Sequence, residues 1–327
     1  GLALVGEAAP VHGVGHGGGE GLAQAAGQQI ALGAGQENVR KGGEAGAHAV
    51  PGGQGVRAGT QAAEHAQGRI QVVADRAGQA GAPAPEPGSA LEKEVAQIKE
   101  ELSGTHESQE AGLTVVNGGL SGLTVVATTA GMGTVNAAAA TQHLISKYAP
   151  QAVVFSGIAG GLNPKLHIND VVIGKCLRYL DTDTALIAES APGLEEFVST
   201  PALADVAAAV LAEHGFVDAS ADETSAEKDP KQFLCGTIAT GDRFVTGDAM
   251  RNAAIEATHA DCVEMEGAAI AHIAAKNGVD CLVLRAISDN CDEAYDAFCE
   301  REFDLDEYAR TASGITLDIV RRIAAAQ

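Results

Sequence analysis

Three sets of carboxylates stand where they could do acid and base chemistry. Asp289 closes the run Cys-Leu-Val-Leu-Arg-Ala-Ile-Ser-Asp at 281–289, with Arg285 and Ser288 just before it. Glu264 and Glu266 flank Met265 in Val-Glu-Met-Glu-Gly at 263–267, and Glu94 lies in Ala-Leu-Glu-Lys-Glu-Val at 90–95. A carboxyl that keeps its proton can donate it to a leaving group, and one that has lost it can activate water. Each residue also has a bland reading. An Arg and an Asp can cap a strand through neighbouring backbone, and a Glu in the first turn of a helix is favoured by the helix dipole. Two carboxylates among apolar neighbours are nevertheless costly unless partnered.

The elements around them follow from periodicity. The run at 281–289 has five aliphatic residues and is too short for a buried helix, so it reads as an inner strand covered on both faces. Its polar end then lies where open α/β sheets bind ligands, at the carboxyl ends of the strands. Residues 113–117 and 123–129 read as strands joined by a Gly-Gly-Leu-Ser-Gly turn. The second runs into Gly-Met-Gly-Thr-Val-Asn at 131–136 and a helix of small residues to about 148. A further strand at 152–155 leads into a second glycine-rich turn, Gly-Ile-Ala-Gly-Gly-Leu at 157–162. Strand, glycine turn and helix let backbone N–H groups approach a ligand. The strand at 233–240 ends in Gly-Asp-Arg-Phe-Val at 241–245, which puts Phe244 at the same edge. Helices are expected from 89, where Leu91, Val95, Ile98 and Leu102 recur at helical spacing, at 201–214, at 268–277 and from 306 to about 325. His272 is read as structural.

Composition divides the chain. All eleven aromatic residues and all six Cys lie beyond residue 140 of the 327, while residues 1–88 are mostly Gly, Ala, Gln, Val, Pro and His. Such a segment buries too little apolar surface to offset its ordering entropy, so a disordered low-complexity tail is expected there, with a folded domain at 89–327. Within the tail, 69–74 has the pattern of a strand. Residues 91–327 carry 16 Lys+Arg against 36 Asp+Glu, a formal charge of −20. That surface repels nucleic acid and anionic membrane, and neither is expected as a partner. The Cys and His spacings match no metal site, the Cys pattern favours a reducing compartment, and the absence of a secretory or membrane-spanning run points to the cytoplasm.

The ordered set of glycine turns, Gly-Asp-Arg-Phe, Val-Glu-Met-Glu-Gly and Arg-Ala-Ile-Ser-Asp over about residues 90–325 resembles the nucleoside phosphorylase and nucleosidase superfamily, most closely the 5′-methylthioadenosine/S-adenosylhomocysteine nucleosidases. The resemblance implies a phosphorylase/hydrolase-like, three-layer α/β/α fold with a central mixed twisted sheet. It implies hydrolysis of an N-glycosidic bond of a small-molecule purine nucleoside without metal or organic cofactor. Carried over by position, Asp289 is the acid that protonates N7 of adenine and Glu94 orients water. Glu266 holds the ribose hydroxyls, Met265 packs on the sugar, Phe244 stacks on adenine and the backbone of Val245 reads its edge. Glu264 and Ser288 belong to the same substrate site. Leu91, Met132 and Phe303 line the pocket for the 5′-thio substituent. Ile158 stands where some members have a hydroxyl residue. Prolines at 81–89 replace the family's apolar first strand, so that either 69–74 substitutes for it, or residues 1–90 are not the natural start of the protein and Glu94 is poorly anchored. A segment within 184–197 is expected to complete a neighbouring subunit's pocket, which implies a homodimer. Related purine nucleoside phosphorylases carry an Arg near the position of Phe155. Its absence here favours water over phosphate, with phosphorolysis or an inactive nucleoside-binding protein as the alternatives.

Overall fold

The computed structural model describes residues 69–74, 90–220, 230–292 and 305–326, with the backbone alone at 69–74, 90–94 and 305–306. In chain order the elements are β1 (Arg69–Ala74), α1 (Ala90–Glu101), β2 (Ser103–Glu110), β3 (Leu113–Leu120), β4 (Leu123–Thr129), α2 (Thr134–Tyr148), β5 (Ala152–Gly161), β6 (Val171–Tyr179) and α3 (Thr184–Ile187). There follow α4 (Pro201–Glu213), β7 (Val217–Asp218), β8 (Gln232–Thr240), α5 (Gly247–Thr258), β9 (Cys262–Glu264), α6 (Gly267–Asn277), β10 (Asp280–Asp289) and α7 (Leu305–Ala325). The strands form one mixed sheet in the order β10-β6-β8-β9-β5-β1-β4-β3-β2, with β7 beside β8 and a further pairing of β10 with β5. That extra pairing closes β5, β10, β6, β8 and β9 into a ring. The expected three-layer arrangement is therefore present, with one half of its sheet curled on itself.

Alternation along β10 feeds two cores. Leu282 and Leu284 pack with Val95 and Ile98 of α1, Leu211 of α4 and Ile319 of α7 on one face. Cys281, Val283 and Ile287 pack with Leu144 of α2 and Ile270 of α6 on the other. Small buried residues, Ala137 and Ala140 on α2 and Ala271 and Ala274 on α6, let these two helices approach closely.

The segment 69–74 fills the position of the first strand. β1 runs parallel between β4 and β5, with Ala74 opposite Thr129 and Ser156. It lies inside the stretch that composition assigns to a tail, and it supplies the strand that the prolines at 81–89 cannot. One other expectation needs correction, and two further elements lie where periodicity gives no signal. The glycine segment at 157–161 is the second half of β5 rather than a turn, because β10 runs beside it and pairs Gly157 with Arg285 and Gly160 with Asp289. Residues 103–110, which lack apolar alternation, form β2 through pairing with β3. Residues 247–258 form α5, which periodicity does not indicate.

Candidate active site

The site is built from the ends of strands that share one edge of the sheet. β10 bulges there: Ile287 pairs with Ala159 and Asp289 with Gly160, leaving Ser288 as the extra residue. Bulges re-aim side chains. Asp289 is 5% and Ser288 2% exposed. Asp289 Oδ1 accepts the backbone N–H of Cys291 at 2.8 Å, while Oδ2 lies 2.9 Å from Ser288 Oγ, itself 3.2 Å from the Ala159 carbonyl. This arrangement suits either protonation state. An ionised Asp289 accepts the Ser288 hydroxyl, whereas a protonated one donates to Ser288 Oγ, which then donates to Ala159. Burial first, then the adjacent Asp289 carboxylate, pushes the Cys291 thiol up to about 12, so Cys291 fills space as a neutral thiol.

Glu264 and Glu266 find the partners their burial demands. Glu264 accepts Arg285 Nε at 3.1 Å and Arg285 Nη2 more closely, together with the backbone N–H groups of Glu266 at 3.0 Å and Gly267 at 2.7 Å. Arg285 is fully buried, with its guanidinium 4.0 Å from the centre of the Phe155 ring. It lies on the Phe155 face of the sheet and directs its fork at Glu264. Removing one partner of such a pair leaves an uncompensated buried charge, at a cost of about 3–5 kcal/mol. Glu266, 1% exposed, accepts the N–H of Gly133 at 2.7 Å through Oε1. Gly131 and Gly133 have φ of 90° and 91°, a conformation that glycine adopts without steric cost.

Asp242, which the motif reading leaves without a role, ties the remaining turn into place. Its carboxylate accepts the Thr134 N–H at 2.7 Å and the Thr134 hydroxyl at 2.6 Å. The Gly241 N–H donates to the Glu264 carbonyl at 3.0 Å. Five motifs distant in sequence thus form a chain of direct contacts. Glu266 joins the 263–267 motif to the turn at 131–134, Asp242 joins that turn to 241–244, Glu264 joins 263–267 to Arg285, and β-pairing joins 285–289 to 157–161. Around the buried carboxylates, Met132, Ile158, Phe244 and Met265 are half-buried and Val245 is buried, the mixture of apolar wall and few polar groups that small-molecule sites use. A cavity of about 280 Å³ between α7 and the sheet lies elsewhere, lined by Phe216, Leu284, Tyr308 and Ile315 rather than by these carboxylates.

Leu91 and Glu94 are placed by the backbone of α1. That helix ends beside Ser103, which pairs with Gly119 next to the β3–β4 turn, far from the Thr129 end of β4. Because α1 packs along β4 through Val95, Ile98 and Leu102, its first turn lies toward the edge that carries the other motifs. Phe303 lies outside the described residues. In the segment 184–197, Leu186 and Leu194 are 62% and 44% exposed, whereas Phe197 is buried. Phe197 exchanges backbone hydrogen bonds with Leu177 and stacks on His272 at 4.5 Å. His272 also meets the Tyr179 hydroxyl at 3.2 Å, and burial, then Lys276, lowers its pKa below the usual imidazole value. Among the described residues no cluster of His, Cys, Asp or Glu is arranged to hold a metal ion, and no helix is long and apolar enough to cross a membrane.

Residues 88–321 match the model of the phosphorylase superfamily. The 5′-methylthioadenosine/S-adenosylhomocysteine nucleosidase of Shewanella sediminis is 35% identical over 225 residues, 67% of this chain and 89% of the relative. Its counterpart from Treponema pallidum is 32% identical over 250 residues, 72% of this chain and 92% of the relative. The structure of the S. pneumoniae nucleosidase with the transition-state inhibitor MT-ImmA is similar with a TM-score of 0.61 and 26% identity, covering 77% of this chain and 98% of that one. The chain belongs to the phosphorylase superfamily and, within it, to the 5′-methylthioadenosine/S-adenosylhomocysteine nucleosidases.

Proposed function

We propose that this chain hydrolyses the N-glycosidic bond of 5′-methylthioadenosine and/or S-adenosylhomocysteine, releasing adenine and the 5′-thioribose product. The observation that carries the proposal is a buried Asp289 at the end of β10 whose partners suit both protonated and ionised forms, in a chain 35% identical to a protein of that name. Cleaving the bond builds positive charge on the ribose and negative charge on the departing base. Adenine leaves poorly as an anion, so Asp289 protonates N7 as the bond breaks, and Ser288 holds the carboxyl between transfers. Glu94 orients the attacking water. Glu266 takes the ribose hydroxyls, Met265 packs on the sugar, Phe244 stacks on the base while the Val245 backbone reads its edge, and Ile158 adds apolar wall. Leu91, Met132 and Phe303 receive the 5′-thio group. An acid and a base placed in this way each contribute about 10²–10⁴-fold.

Phe155 supports water over phosphate as the nucleophile. An uncharged ring, packed on Arg285, stands near the position where related phosphorylases carry an Arg. The chain works as a cytoplasmic homodimer in which the segment around 184–197 completes the neighbouring pocket. The exposed Leu186 and Leu194, with Val135 77% exposed in the first turn of α2, support that assembly. Steady-state release of free adenine from both nucleosides, with and without phosphate, tests the proposal. Adenine release independent of phosphate is expected. A strict phosphate requirement, or no release from either nucleoside, overturns it.

A further inference from the structure

We propose that Glu264 is a positioning residue: its carboxylate holds Arg285 off Glu266 and fixes the turn from which Glu266 projects, which keeps Glu266 available to the ribose hydroxyls. The inference rests on the reading of Glu266 as the residue that holds those hydroxyls.

Two observations carry it. The first concerns the start of α6. Its leading N–H groups need acceptors, and Glu264 takes those of Glu266 and Gly267 directly. Glu264 Oε1 also accepts the Thr240 hydroxyl, whose oxygen in turn accepts the Ala268 N–H at 2.8 Å. With these donors served, the Glu266 side chain makes no capping hydrogen bond to its own helix and turns to Gly133 instead. The second concerns charge. Arg285 Nη2 lies against Glu264, and the same nitrogen is 3.8 Å from Glu266 Oε2. A guanidinium and a carboxylate in contact settle at about 2.7–2.9 Å. Glu264 therefore keeps Glu266 about 1 Å short of capture by Arg285. Without the Glu264 charge, Arg285 has Glu266 within reach, and closing that gap draws Glu266 off the sugar. A misplacement of about 1 Å can cost about 10²-fold in rate.

The test compares 5′-methylthioadenosine with its 2′-deoxy counterpart in the intact chain and in Glu264→Gln, Thr240→Val and Glu266→Gln, each checked by a melting curve. Glu264→Gln is expected to lose about 10²-fold in kcat/KM on the ribonucleoside but no more than about 10-fold on the deoxynucleoside. Thr240→Val, which removes one donor to Glu264 and leaves every charge in place, is expected to shift the same ratio by about 3-fold or more, and it decides the matter if Glu264→Gln does not fold. Equal losses on both substrates in the folded variant overturn the proposal, as does an unchanged ratio. Glu266→Gln separates the two levels. If it fails to reduce the preference for the ribonucleoside, the assignment of Glu266 to the sugar falls. If it reduces the preference while folded Glu264→Gln does not, only the positioning role falls.

Discussion

Gly160 and Asp289 face each other across β5 and β10 so closely that a Cβ on Gly160 would lie 3.1 Å from Asp289 Oδ1 and would overlap the Cys291 sulfur. The glycine is what permits the bulged end of β10 to set its carboxyl against β5. Gly160→Ala must therefore push Cys291, the Asp289 carboxyl or both away from their hydrogen-bonded positions. The expected result is a folded protein whose kcat falls about 10-fold or more, with a smaller change in KM, because the displaced group acts in the transition state. Steady-state adenine release checks this, and a variant with parental kcat would remove the close approach from the mechanism.

Asp289→Asn separates hydrogen bonding from proton transfer. An amide can still meet Ser288 and the Cys291 N–H but cannot give up a proton at working pH. The variant is expected to keep its melting temperature within a few degrees and to bind substrate, while kcat falls about 10²-fold or more, the lower end of general acid catalysis. A folded variant within threefold of the parent would take Asp289 out of the reaction.

Glu94→Gln tests the placement of the first turn of α1. If Glu94 acts on water rather than on the nucleoside, kcat falls about 10²-fold or more while binding of a non-hydrolysable nucleoside analogue is unchanged. Turnover at the parental rate would mean that the edge reached by α1 is not where water is activated.

The parts of this molecule legible in the sequence are those whose cause is local. The aliphatic run of β10, the spacing of Val95, Ile98 and Leu102 in α1 and the proline-led helix α4 each announce themselves within a dozen residues. The strand state of Ser103–Glu110 does not, since pairing with β3 supplies its reason. Glycines at 157, 160 and 161 suggest a turn when read along the chain. Across the sheet Gly160 makes room for Asp289 and Cys291, and Gly161 for Ile287. Only Ala254 and Thr258 of α5 are buried, which leaves too thin a stripe to register as helical periodicity. Glu264 and Arg285 are each costly when considered alone. They lie 21 residues apart, and the fold makes them a pair. Asp242 stood within a recognised motif, but its role depends on Thr134, 108 residues away.

Glu110 gives a prediction about stability rather than catalysis. It ends β2 with its side chain 6% exposed, and it gathers Lys147 at 2.7 Å, the Tyr148 hydroxyl at 2.6 Å, the Ser108 hydroxyl and His143 at 3.0 Å. The β2–β3 hairpin is thereby fastened to the last turns of α2. Burial raises the Glu110 pKa, but hydrogen bonds from Lys147, Ser108, Tyr148 and His143 outweigh it and hold the carboxyl far below the usual carboxylate range. A group depressed in the folded state contributes its full stability above the unfolded value, about 4.3 for Glu. That contribution is lost as pH falls through the folded value, because the unfolded chain takes up the proton first. Glu110→Gln is therefore expected to lower Tm at pH 7 by about 3–6 °C through the loss of charge-assisted hydrogen bonds. The gap to the parent should narrow as pH is lowered below about 4. Adenine release at pH 7 and 25 °C should change less than about twofold, since α2 meets the site at its other end. Melting curves of both proteins from pH 7 to pH 3 check the prediction. A Tm difference that is constant across that range would show that the ionised form of Glu110 is not what holds the hairpin.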